Sequence, residues 1–208
     1  MTGRAAGFVS LEGIDGSGKS TQARLLADHL RAEGRDVVLT REPGGSPGAE
    51  AIRELVLTGE PGRWSAETEI LLFTAARRDH LERTIRPALA RGATVVTDRF
   101  ADSTRVFQGV TRGDLTALVD RLHAEAIGME PDRTFVIDVE PEEGLARSLA
   151  RMEGQPDPES RFERFGIAFQ KRARAGFHAL AARWPERIAI VDGSGTPGEV
   201  AARVRALL

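Results

Sequence analysis

Gly13-Ile14-Asp15-Gly16-Ser17-Gly18-Lys19-Ser20 matches the spacing G-x-x-x-x-G-K-S/T, with Thr21 directly after it, in the context that gives the spacing physical meaning. Before it, Phe8 to Glu12 is a nearly continuous apolar run that reads as a strand. After it, Lys19 to Glu33 has the periodicity of an amphipathic helix. At such a junction glycines let backbone N–H groups turn inward toward phosphate oxygens, and the helix N-terminus adds partial positive charge. Lys19 would reach the β and γ phosphates as a point charge, and the Ser20 hydroxyl would ligate Mg²⁺. Of the 29 basic residues only Lys19 and Lys171 are lysine, so Lys19 stands against the chain's own habit of writing arginine. A guanidinium fork would not replace it.

Four further short, mostly apolar runs read as strands: Asp36 to Arg41, Ala93 to Thr97, Arg133 to Asp138 and Arg187 to Asp192. The segments between them supply helices over Lys19 to Glu33, Gly48 to Leu57, Ala66 to Arg91, Arg112 to Gly128, Pro141 to Arg151, Phe162 to Arg183 and Pro197 to Leu207. The alternation predicts an α/β fold of the P-loop kind: a doubly wound, five-stranded parallel sheet with helices on both faces. At 208 residues the chain fits one domain, residues 1–208, burying roughly 70% of its unfolded surface. Met152 to Ser160 (MEGQPDPES) interrupts an Arg-rich helical pattern and reads as part of a lid over about 147–161.

Composition narrows the function. No apolar run approaches the ~18 residues of a membrane helix and no signal-like segment precedes the first strand, so cytoplasmic residence without membrane association is the expectation. A net charge of -2 offers no basic field for nucleic acid. Cysteine is absent, which removes thiolate metal sites and cysteine nucleophiles; four scattered histidines lack metal-ligand spacing. Asparagine is absent too, which makes the guanine-reading N-K-x-D motif of a GTPase impossible, and no convincing D-x-x-G switch follows the second or third strand.

Three more segments sort among phosphate-loop proteins. Thr40-Arg41-Glu42-Pro43-Gly44-Gly45 closes the second strand, Leu71-Leu72-Phe73-Thr74-Ala75-Ala76-Arg77 lies on the long central helix, and Asp98-Arg99-Phe100-Ala101-Asp102-Ser103-Thr104 closes the third strand. With the phosphate loop, in this order and spacing, they resemble bacterial thymidylate kinase over essentially the whole chain. The resemblance implies transfer of the γ-phosphoryl of ATP to dTMP, with Mg²⁺ as cofactor and a homodimer packed through helices. Arg99 would hold the acceptor's 5′-phosphate, with Arg41 beside it, a task suited to bidentate guanidinium chemistry. Asp98 would lie close to Mg²⁺ or its waters, and Asp15 near the acceptor's 3′-hydroxyl. Glu42 and Pro43 would line the acceptor pocket. Phe73 would stack on thymine, and Arg77, one turn on and on the same helix face, would hydrogen-bond the base edge, with Arg78 as fallback. Ser103, Thr104 and Gln108 match the polar base-contacting segment. Phe107 departs from the pattern, standing where many members have Tyr, and would crowd the 2′ position of the sugar.

The phosphate loop carries no arginine between Ile14 and Ser17, whereas the lid region has Arg147, Arg151 and Arg161. This division looks like the bacterial subgroup that supplies its catalytic arginine from the lid, and it leaves the choice between Arg151 and Arg161 open, with Arg147 touching ATP. Two other readings remain: a nucleoside monophosphate kinase for dCMP, UMP or AMP, and a nucleotide-gated switch with no acceptor.

Overall fold

The chain, seen in a computed structural model that describes residues 7–152, 161–162 and 165–208, with the side chains of 151 and 152 outside that description, builds its sheet around three central strands buried on both faces, with partly exposed strands at the edges. β1 (Phe8–Glu12) is followed by α1 (Lys19–Ala32), β2 (Val37–Arg41) and α2 (Pro47–Leu57). Next come α3 (Ala66–His80), a π-helical turn over Leu81–Ile85 that continues it, α4 (Arg86–Ala90) and β3 (Thr94–Asp98). α5 (Ala101–Thr104) runs straight into a π-helical stretch, Arg105–Val110, before α6 (Thr116–Ala126). β4 (Arg133–Asp138), α7 (Pro141–Met152), α8 (Gly166–Arg183), β5 (Ile188–Asp192) and α9 (Pro197–Arg205) complete the order.

The sheet runs β2-β3-β1-β4-β5, with every pair parallel. Val9 and Leu11 of β1 face α1 and α9 through Leu26, Leu30, Val200 and Val204. On the other face Phe8, Val95 and Phe100 pack on Leu81 and Ile85, while Val136 meets Phe169 and Phe177 of α8. Each fully buried side chain of this size contributes roughly 1.5–3 kcal/mol. Among the described residues no helix is long and apolar enough to cross a membrane.

The five strands, the seven helices and the two covered faces agree with the sequence reading, with boundary shifts that have physical causes. β3 extends one residue further, to Asp98, because Leu11 and Arg41 on the flanking strands continue the ladder to it. The helix expected from Arg112 starts at Thr116, whereas Ala101–Val110 is an additional helical segment whose mixed polar pattern hides its periodicity. Its two sides have different neighbours. Asp102, 1% exposed, accepts from Arg105 Nη1 (2.8 Å) and Arg187 Nη1 (2.6 Å), and Arg105 also reaches Asp120 and Glu130. Trp184 lies under both guanidinium groups. α8 begins at Gly166, whose φ of 75 is not helical, rather than at Phe162. Of the expected lid, the part over 153–160 lies outside the described residues.

The ionic cluster fixes the segment that will prove to line the site. Asp102→Ala leaves two guanidinium groups short of a buried counter-charge and should lower unfolding free energy by roughly 3–5 kcal/mol, read as a lower urea midpoint.

Candidate active site

The strand order places β1 and β3 side by side while their connections leave for opposite faces of the sheet. Ligands of parallel α/β sheets bind in the crevice such a pair opens at its carboxyl ends. The phosphate loop and Arg99 flank that crevice here, and a cavity of about 290 Å³ lies over it.

In the loop, Gly13, Gly16 and Gly18 take φ of 138, 73 and 91, which L side chains rarely adopt. A Cβ on Gly16 would collide with the carbonyl oxygen of Gly144, so α7 rests directly against the loop. Lys19 donates from Nζ to the Ile14 carbonyl (3.1 Å) and stands 3.9 Å from the Asp15 carboxylate. Burial, and then the Arg99 charge, pull its pKa down to about 8. Ser20 and Thr21 occupy the first turn of α1, and Ile14 packs into the core near Val139. Asp98 Oδ1 and Ser17 Oγ are buried without a hydrogen-bond partner among the described residues. Asp98 and Ser20 line the same cavity, so an oxygen-seeking cation on these two would satisfy the orphaned carboxylate oxygen.

Arg99 is the junction between the two sides. It has φ 73, the only positive φ on a non-glycine among the described residues. Such a conformation costs roughly 1–2 kcal/mol and persists where the surroundings impose it. The Thr97 hydroxyl donates to the Arg99 carbonyl (2.9 Å), and the Arg99 amide donates to the Leu11 carbonyl (2.9 Å). The guanidinium donates to Asp15 Oδ1 (2.6 Å), Ser103 Oγ (2.9 Å) and the Gly13 carbonyl (3.2 Å), and lies 4.9 Å from the Phe107 ring centroid. Gln170, fully buried, donates to the other oxygen of Asp15 (3.1 Å).

The far wall is the central helix. Phe73 lines the cavity half-buried, with Phe162 as its neighbour at 6.1 Å between centroids. Arg77 is 4% exposed; it donates through Nε to Glu42 (2.7 Å) and through Nη2 to the Phe100 carbonyl (3.2 Å) and Thr104 Oγ1 (3.0 Å). Arg78 instead pairs with Glu82 and the Ala126 carbonyl, away from the cavity, which removes it as the fallback. His80, fully buried, bridges Thr40 Oγ1 (2.8 Å) and Glu42 Oε1 (3.0 Å). Pro43 follows a cis Glu42-Pro43 bond, and both residues line the cavity. Ser103, Thr104, Phe107 and Gln108 do so too, although Phe107 is mostly committed to stacking on Phe169 and to the edge of Phe177. Arg41 lines the cavity with its Nη2 on Glu50 (3.1 Å).

The lid arginines part company. Arg147 is exposed and paired with Glu143 one turn back. Arg161 is buried, donating to Glu69 (2.5 Å) and to the carbonyls of Val56, Glu60 and Pro61, so its hydrogen bonds lie on the acceptor side and not at the phosphate loop. Arg151 lies within α7, and its side chain is outside the described residues.

Three residues not anticipated from sequence belong to the arrangement. Arg53 of α2 lines the cavity and donates to the Pro43 carbonyl (2.8 Å); one arginine among 27 carried no signal. Gln170 sits far along the chain from its partner Asp15. Glu12 did carry a signal, a carboxylate ending an apolar strand just before the phosphate loop. It is fully buried and accepts from the Phe100 amide (2.7 Å), the Ser103 amide (3.3 Å) and the Ser103 hydroxyl (2.6 Å). Burial, reinforced by Asp102, raises its pKa to about 7.

A family model described as thymidylate kinase matches residues 11–204. A thymidylate kinase from Jannaschia sp. (strain CCS1) is 64% identical over 201 residues, covering 97% of this chain and 95% of that one. One from Dinoroseobacter shibae is 66% identical with the same coverage. The crystal structure of thymidylate kinase from Ehrlichia chaffeensis superposes with a TM-score of 0.77 at 33% identity, over 96% of this chain and 97% of that one.

Glu12 makes stability depend on pH in a definite direction. Its folded pKa lies above the unfolded value, so the native state binds the extra proton, and its contribution is lost as pH rises from about 4.5 through about 7. The full span is on the order of 3 kcal/mol. Glu12→Gln should flatten this slope relative to the unsubstituted chain in urea melts between about pH 5 and about pH 8. Parallel slopes in the two proteins would mean that Glu12 does not titrate there.

Proposed function

The chain belongs to the thymidylate kinase family, and from that premise we propose that it transfers the γ-phosphoryl group of ATP to dTMP, giving dTDP and ADP. The observation that carries the reading is the Asp15–Arg99 pair (2.6 Å), which joins a phosphate loop to a strand-end arginine within one cavity that also holds Phe73 and Arg77. A switch module would need the loop but not the second half.

In this reading ATP phosphates lie on the amides of Gly13 to Thr21 and on Lys19, whose pKa burial pulls down to about 8 and whose cationic form bound phosphates would favour. Ser20 and Asp98 would hold Mg²⁺, the orphaned Oδ1 of Asp98 being the support for that choice. When bound, the ion would neutralise charge on the β and γ phosphates. The acceptor's phosphate would take the place of Asp15 on Arg99, with Arg41 and Arg53 converging on it, and Asp15 would then be released to the sugar 3′-hydroxyl. The attacking oxygen belongs to a phosphate already ionised at neutral pH, so positioning and cations do the work that a general base does elsewhere.

The cation for the transferred group is assigned to Arg151. Position 151 lies seven residues after Gly144 on α7, hence on the helix face that meets the phosphate loop, about 10 Å further along. Arg147 is a second, outer contact to ATP on the same helix. Arg161 anchors the lid instead of reaching the phosphates. Cytoplasmic residence and a homodimer belong to the same reading; the exposed Leu71 and Val110 are apolar groups that such a dimer would cover.

The test is Mg²⁺-dependent ADP release from ATP with dTMP, dUMP, dCMP, UMP and AMP offered separately, Lys19→Ala serving as the blank. Strong stimulation by dTMP is expected, while best turnover with another acceptor would overturn the thymine assignment. Arg151→Ala should lower kcat by at least ~10²-fold with the KM for dTMP little changed. Arg99→Ala should raise that KM at least ~10-fold, as removal of a bidentate phosphate contact does.

A further inference from the structure

Glu69 is fully buried in α3 and no part of the reaction calls for it, yet three side chains from three segments converge on it. Arg161 donates to Oε1 (2.5 Å), Arg112 donates to the same oxygen, and Gln108 Nε2 donates to Oε2 (3.1 Å). Phe73 stands one helical turn beyond it. A carboxylate facing two guanidinium groups accepts hydrogen bonds and donates none. The Gln108 amide is therefore held with its NH₂ on Glu69. Its Oε1 has no partner among the described residues, and Gln108, 1% exposed, lines the cavity.

We infer that Glu69 sets the hydrogen-bonding polarity of the base pocket, holding Gln108 as an acceptor and thereby selecting pyrimidines with an N3–H over 4-amino pyrimidines. This rests on the base lying against Phe73. Thymine and uracil carry a donor at N3 and a carbonyl at C4; cytosine carries an acceptor at N3 and an amino group at C4. Gln108 Oε1 complements the first pair, and Arg77 Nη1, which has no partner among the described residues, supplies the donor for the C4 carbonyl. Cytosine would set acceptor against acceptor and donor against donor. Neither unfavourable facing can relax, because turning the Gln108 amide over would put its carbonyl oxygen on the Glu69 carboxylate. Glu69 is thus a positioning residue acting through Gln108. The methyl group that distinguishes thymine from uracil lies outside this device.

Glu69→Gln keeps shape and an acceptor for the two arginines, but its new NH₂ faces Gln108 as a donor and favours the turned-over amide, with the Gln108 carbonyl toward position 69 and its NH₂ toward the cavity. The ratio of kcat/KM for dTMP to that for dCMP is expected to fall at least ~10-fold, with the dTMP to dUMP ratio within about 2-fold. The exchange Glu69→Gln with Gln108→Glu restores an acceptor at position 108 and should restore the dTMP to dCMP ratio, a recovery that a merely structural Glu69 would not produce. An unchanged ratio in the single variant, or no recovery in the exchange, overturns the inference. Should the single variant not fold, Gln108→Leu must relax the same ratio, and its failure to do so overturns the inference equally. Absence of dTMP turnover in the unsubstituted chain is a separate outcome and overturns the reading on which this one rests.

Discussion

The Glu12 carboxyl reaches across the crevice from the last position of β1 and takes the Phe100 amide, the Ser103 amide and the Ser103 hydroxyl at once. Its own backbone is continuous with the phosphate loop, and the groups it holds are continuous with Arg99. A buried carboxyl that accepts three hydrogen bonds has little freedom, so the donor half and the acceptor half of the site are tied at a fixed separation. The left-handed backbone of Arg99 follows from this. With Leu11 holding its amide, Thr97 its carbonyl and Glu12 the next residue, no relaxed conformation remains open to it. In-line transfer between two bound phosphates requires such a fixed spacing, since an error of about 1 Å costs rate steeply.

A chain that writes arginine 27 times must keep most of those charges from competing at the site. It does so with dedicated carboxylates. Arg105 and Arg187 share Asp102, Arg112 and Arg161 share Glu69, and Arg174 is held by Asp138. The groups around the crevice are different in kind. Arg99 is held by Asp15, a residue of the phosphate loop itself, and Lys19 is kept dry beside both. A bound phosphate can replace the Asp15 carboxylate on Arg99 without leaving a buried charge unpaired, because Asp15 keeps Lys19 and Gln170 as neighbours.

The fold was largely legible because its signals are local. Apolar runs marked the five strands, and the phosphate loop announced the strand-to-helix junction. The residues that a motif names, Lys19, Asp98, Arg99, Phe73 and Arg77, all line one cavity. What escaped depends on long-range pairing. Gln170 meets Asp15 across 155 positions, and Arg161, which in sequence stands within the lid as one of two candidates for the catalytic cation, has its guanidinium held by Glu69, 92 residues away. The helix over Ala101–Val110 escaped for the opposite reason. One side of it faces an ionic cluster and the other a ligand cavity, so neither shows the apolar stripe that betrays a helix.

The most direct test of the account is a crystal structure of the chain with dTMP bound. The account predicts the thymine ring against Phe73, the 5′-phosphate on Arg99 in place of the Asp15 carboxylate, and Asp15 turned toward the 3′-hydroxyl. A dTMP phosphate bound elsewhere, with the Asp15–Arg99 pair still closed at 2.6 Å, would contradict it.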